Sequence, residues 1–92
     1  MEVEREIEAS QRYYLNLFNS IGCVPDEEGA LATGDEDARR LAIANIRSLL
    51  AEEVREGRLD LNGRIEIRDS AQVLRMIVRF DEALTVRAAA AR

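Results

Sequence analysis

The chain contains no histidine, no lysine and no tryptophan, and only one cysteine and one proline among its 92 residues. Each absence removes a class of function. Without histidine there is no imidazole base, no histidine metal ligand, and no Ser-His-Asp or Cys-His arrangement. A single cysteine, Cys23, rules out an intramolecular disulfide. It sits beside Val24 and Pro25, where no sequence neighbour is placed to activate a thiol, so a half-buried filler is expected. Glycines are few and scattered. Gly57 and Gly63 belong to no phosphate-cradling pattern. No run approaches the roughly eighteen apolar residues that a membrane span requires. Residues 1–10 are acidic and lack an apolar core, so no secretory leader is expected. A reducing cytoplasm is the expected location.

What is present is an arginine-rich, acidic, apolar-rich chain. Apolar residues make up 47% of it, which argues against disorder. Aromatics supply only 4%, so the core must be thin. The net charge of −5 is uneven. Residues 1–46 hold ten acids and four arginines; residues 47–92 hold eight acids and nine arginines. A general nucleic-acid binder carries a basic excess, and this chain does not.

The hydropathy pattern predicts one α+β domain over residues 12–92, with residues 1–11 as a flexible arm. "RYYLNLF", 12–18, alternates with period two and places Tyr13, Leu15 and Leu17 on one side. "NSIG" reads as a turn, and "CVP" as a short strand that Pro25 keeps at an edge. "DEEG" is a charged turn. A helix is predicted from about 35 to 56, with Thr33 and Glu36 at capping-box spacing and Gly57 as its stop. Its sheet-facing stripe is Ala38, Leu41, Ala42, Ile46 and Leu49. "GRIEIRDSAQVLRMIVRF" then forms a hairpin. Closing it with Arg68 opposite Val73 pairs Ile67 with Leu74, Ile65 with Met76 and Glu66 with Arg75, and sends Leu74, Met76, Val78 and Phe80 inward. A short helical tail around Ala83, Leu84 and Val86 ends the chain. The layout is β-β-α-β-β, a four-stranded antiparallel sheet with one long helix on one face.

Two candidate surfaces follow. Ile43, Leu50 and Val54 widen the helix stripe beyond what one sheet covers. They are a candidate surface for a homodimer or another protein partner. Tyr14, Phe18, Arg64, Arg68, Arg75 and Arg79 line the open side of the sheet, where aromatics and arginines together can contact RNA or single-stranded nucleic acid. Val73 and Ile77 lie in the same outer row, which equally suits a protein partner with an arginine rim. No catalytic residue, cofactor or metal is expected. "DEEGALATGDED", 26–37, has the length of a calcium loop but lacks its glycine at the sixth position and its closing glutamate. The expectation is a non-enzymatic interaction or regulatory module.

"PDEEG", "DEDARRLAIANIRSLLAEEVREGRLDLNGRIEIRDS" and "MIVRFDEAL", preceded by the aromatic strand "RYYLNLF", resemble a family of small alphaproteobacterial proteins, domain of unknown function 6894, over about residues 12–86. The resemblance implies a small α+β domain and carries no assigned site residues. "NSIG", "DSAQV" and residues 1–11 depart from the family's usual pattern, which leaves the turn geometry open. A looser likeness, over residues 21–46, is to antitoxin domains of the HicB type and implies a partner-binding role.

Overall fold

The computed structural model describes residues 10–89; the first nine residues of the expected arm and the last three of the tail lie outside them. In chain order the elements are β1 (Gln11–Phe18), β2 (Cys23–Val24), β3 (Ala30–Ala32), α1 (Asp35–Arg55), β4 (Arg64–Asp69), β5 (Leu74–Arg79) and a 3₁₀ turn, Phe80–Glu82. One antiparallel sheet runs β2-β1-β4-β5, and β3 joins β1 on the same side as β2. The helix covers one face.

β1 forms for the reason its sequence suggests. Tyr13 and Leu15 are buried, Leu17 packs on the core, and Tyr14, Asn16 and Phe18 take the opposite side. β3 has no such signal. Three residues of small or single apolar character make no pattern, and only pairing with Gln11–Tyr13 defines them as a strand. Between β2 and β3 the chain leaves the edge of β1, and Asp26 fills the gap. Its carboxylate accepts from the backbone N–H groups of Leu15, at 3.1 Å, and Gly29, at 3.0 Å, while its own N–H donates to the Asn16 side chain. The "DEEG" turn is thus tied to the middle strand. Gly29 completes it at φ 77°, where an added Cβ would lie 2.9 Å from the Tyr13 carbonyl oxygen.

The helix spans 21 residues, one short of the expected end, and begins differently. Gly34 is the N-cap and offers no side chain. Instead of a Thr33–Glu36 box, the Asp37 carboxylate reaches back to accept from the Thr33 backbone N–H at 3.0 Å. Its buried row is Ala38, Ala42, Ile46 and Leu50, while Leu41, Ile43 and Leu49 pack at its margins. A strict i, i+4 row slants round a helix, as suits an axis oblique to a twisted sheet. Leu50 therefore enters the core, only 2% exposed. The expectation that Leu50 belongs to an open flank is corrected.

The second hairpin changes its register and, from Met76 onward, keeps its sidedness. Ile67 pairs with Met76, Ile65 with Val78 and Arg64 with Arg79, two residues along from the expected alignment. The Gln72 N–H donates to the Asp69 carbonyl, and Gln72 adopts φ 66°. The Asp69 carboxylate also accepts from the N–H groups of Ala71 and Val73. This closes a three-residue loop whose last residue is left-handed. A bulge between Ile67 and Arg68 then restores the core alignment. It sets Leu74 beside Arg68 on the open side, 41% exposed, and turns Arg75 toward the helix start. Both residues are thus displaced from the sides expected of them.

Phe80, Ile46, Ile67 and Val78 are the largest fully buried side chains. Each contributes about 1.5–3 kcal/mol through burial. Phe80 lies over Gly63, and its N–H donates to the Gly63 carbonyl at 2.9 Å. The tail's helical piece is a single 3₁₀ turn, upstream of where it was expected, and residues 85–89 are irregular. Ala83 is buried, and its carbonyl accepts from Arg47 of the helix at 2.6 Å. Cys23 is exposed rather than half-buried, because β2 lies at the sheet edge.

Candidate functional site

The open face of the sheet brings together five of the six candidates expected there. β1 supplies Tyr14 and Phe18, β4 supplies Arg64 and Arg68, and β5 supplies Arg79. Across the strands, Phe18 sits opposite Arg64 and Arg64 opposite Arg79; Asn16, Glu66 and Ile77 form the next row, and Tyr14, Arg68 and Leu74 the one after. Glu66 is the hub. Its side chain is largely covered, and it accepts from Arg64 Nε at 3.0 Å and Arg68 Nη2 at 3.5 Å. The Arg64 guanidinium also lies 4.3 Å from the centre of the Phe18 ring, a cation–π contact that covers the ring. Arg79 forks onto Asp81, with Nε and Nη2 contacts of 3.2 and 2.9 Å. That fork holds the Asp81 carboxyl below its usual range and raises Arg79.

Arg75 is the candidate that the face does not contain. Its Nη2 donates to Asp35 Oδ2 at 3.0 Å, and Nη1 lies 3.7 Å from Asp69. The Tyr13 hydroxyl donates to the other Asp35 oxygen, also at 3.0 Å. Hydrogen bonds from Arg75 and Tyr13 lower the Asp35 pKa; desolvation, then the hydrogen bond to Asp35, raises that of Tyr13. The cluster ties the middle strand, the second hairpin and the first helical residue together. The bulge that creates it has no signature in the sequence.

Two apolar residues complete the open face. Ile77 is 45% exposed and was expected there; Leu74 was expected inside. At one end, Leu61, Asn62, Gly63, Arg64, Arg79 and Asp81 line a groove of about 390 Å³. On the helix side, the flank proposed for a partner reduces to Val54, 58% exposed, since Leu50 is buried and Ile43 packs on the core. Val54 lines a shallower apolar groove of about 280 Å³ with Gly57, Arg58 and Leu59.

Among the described residues, no group of three or more His, Cys, Asp or Glu is arranged to hold a metal ion. No described helix is long and apolar enough to cross a membrane. The molecule is thus an α+β domain with a helix-covered face and an open face of mixed arginine, acid and apolar character. It belongs to the family described as Domain of unknown function (DUF6894), whose model matches residues 12–81. No curated protein and no solved structure shows significant similarity to it.

Proposed function

We propose that the chain is a non-catalytic interaction domain that binds a protein partner through the open face of its sheet, in a reducing cytoplasm. The observation that carries this reading is the exposure of Leu74 and Ile77 beside three arginines whose charge is matched, all but one, within the chain. Apolar area ringed by arginine suits a protein surface. Nucleic acid is less well served. Glu66 and Asp81 leave only one net positive charge among Arg64, Arg68 and Arg79, too little for a phosphate backbone, and Arg64 covers the Phe18 ring on which a base would stack. The antitoxin-like alternative assigns the same partner-binding role and rests on the resemblance over residues 21–46.

A photo-crosslinking residue placed at Ile77 in the native host tests the reading, with the same residue at Ser48 on the helix as a control. A discrete protein adduct from position 77, lost with Leu74→Glu and absent from position 48, supports it. An adduct to RNA, or none, overturns it.

A second reading, a homodimer, is favoured by one feature: Val54 and Leu59, 58% and 49% exposed, share the groove at the helix C-terminus. Sedimentation at tens of micromolar tests it. A dimer dispersed by Val54→Glu is expected, and a monomer at that concentration removes the reading.

A further inference from the structure

Arg64 and Arg79 are direct cross-strand neighbours. The Phe80 N–H bonds to Gly63, one residue further along each strand, so alternation makes Arg64 and Arg79 a non-hydrogen-bonded pair, the closer kind. Like charges so placed repel. Each guanidinium keeps one partner, Glu66 for Arg64 and Asp81 for Arg79. Those partners leave Arg64 Nη1 and Nη2 and Arg79 Nη1 without a protein acceptor among the described residues. Both arginines line the groove of about 390 Å³, where Asn62 adds an amide. Arg64, Arg68 and Arg79 against Glu66 and Asp81 give this patch one net positive charge, on a chain of net charge −5.

Two features define the ligand. An acceptor seated between the arginines relieves their repulsion and takes the free N–H groups. One and two rows along, Ile77 and Leu74 offer apolar contact. A free anion uses only the first feature. A second copy of the chain brings a matching cationic patch and a net negative charge over the rest, which opposes face-to-face docking. We propose that the open face binds an acidic, amphipathic segment of a protein partner, with a carboxylate in the groove between Arg64 and Arg79 and an apolar side chain on Leu74 and Ile77. This rests on the open-face reading above and specifies the chemistry of its partner.

The test uses the full chain and a fluorescein-labelled synthetic peptide in which glutamates alternate with leucines. Fluorescence anisotropy at low salt is expected to show saturable binding. Replacing the glutamates by glutamines, or making the Arg64→Ala, Arg79→Ala double variant, is expected to weaken it about tenfold or more. Ile77→Ser weakens it independently of salt. Circular dichroism confirms that the variants fold. Absent binding overturns the inference, as does an equally tight glutamine peptide or an unaffected double variant. Tighter binding of oligothymidylate overturns it in favour of nucleic acid, and arginine-dependent self-association at low salt does so in favour of a second copy. If the peptide fails while the protein adduct at position 77 persists, the open-face reading stands and only the acidic partner falls. If the adduct is absent as well, both fall.

Discussion

The two faces of the sheet are cut from the same strands and follow different rules. On β4, Ile65 and Ile67 are closed off beneath the helix while Arg64, Glu66 and Arg68 point the other way. That is ordinary alternation. On β5 the helix side holds Met76 and Val78, but the open side holds Leu74 and Ile77 as well as Arg79. Apart from the Tyr13–Asp35–Arg75 tie at its edge, the covered face is apolar, with no buried polar or charged residue among those described. The open face mixes fixed charges with apolar area, so solvation alone does not account for it. The difference teaches that the covered face is specified by packing, whereas the open face has room for a second specification.

Mutations on either side should respond accordingly. Phe80→Ala removes a fully buried ring from a thin core and should cost about 3–5 kcal/mol, enough to unfold much of the population, read by urea denaturation. Gly63→Ala approaches the same ring from the strand, with a new Cβ driven into the Phe80 ring carbons. It should cost about 1–3 kcal/mol through overpacking and lower the midpoint without changing the denaturant slope. On the open face, Ile77→Ser should change stability by no more than about 0.5 kcal/mol while weakening partner binding. A large loss of stability there would mean that the open face, too, is part of the core.

The smallest effects are electrostatic. Asp35 is held low by Arg75 and Tyr13, Asp37 by the Thr33 N–H, Asp60 by Ser20 and the Asn62 N–H, and Asp81 by Arg79. Each titrates lower in the folded chain than in the unfolded one. Their stabilisation is therefore complete above about pH 4 and disappears as pH falls through the folded values. Tyr13 works in the opposite direction: its raised folded value favours the native state until pH climbs above about 10. Acid titration followed by circular dichroism should show a modest decline that Asp35→Asn shifts toward higher stability at low pH relative to neutral. Equal acid profiles for Asp35→Asn and the parent would remove the Arg75–Asp35–Tyr13 tie.

Much of the covered face could be read before any coordinates. Period-two alternation in β1 and β4, a helix free of proline and internal glycine, and its stop at Gly57 are all local signals. The open-face candidates were legible for the same reason, with Tyr14, Phe18, Arg64, Arg68 and Arg79 following from the pleat. Arg75 and Leu74 were not, because the bulge that exchanges their sides depends on how the Asp69–Val73 loop closes. Asp26 was visible only as a turn acid; its link to Leu15 spans 11 residues. Leu50 falls outside a stripe drawn straight along the axis because such a stripe omits the slant of the i, i+4 row.

The order and types of the longer elements, and the side that β1 and β4 turn to the helix, follow from residue chemistry and spacing alone, because those properties are set within a few neighbouring residues; β3 exists only through its pairing with β1. The register expected for the second hairpin is off by two residues, since such a slip returns the side chains beyond the bulge to the same faces and the alternation does not distinguish the two. Only the tertiary structure chose among such slips. Phe80 must reach Gly63 and Val78 must meet Ile65 beneath the helix, and the bulge is where the chain accommodates both.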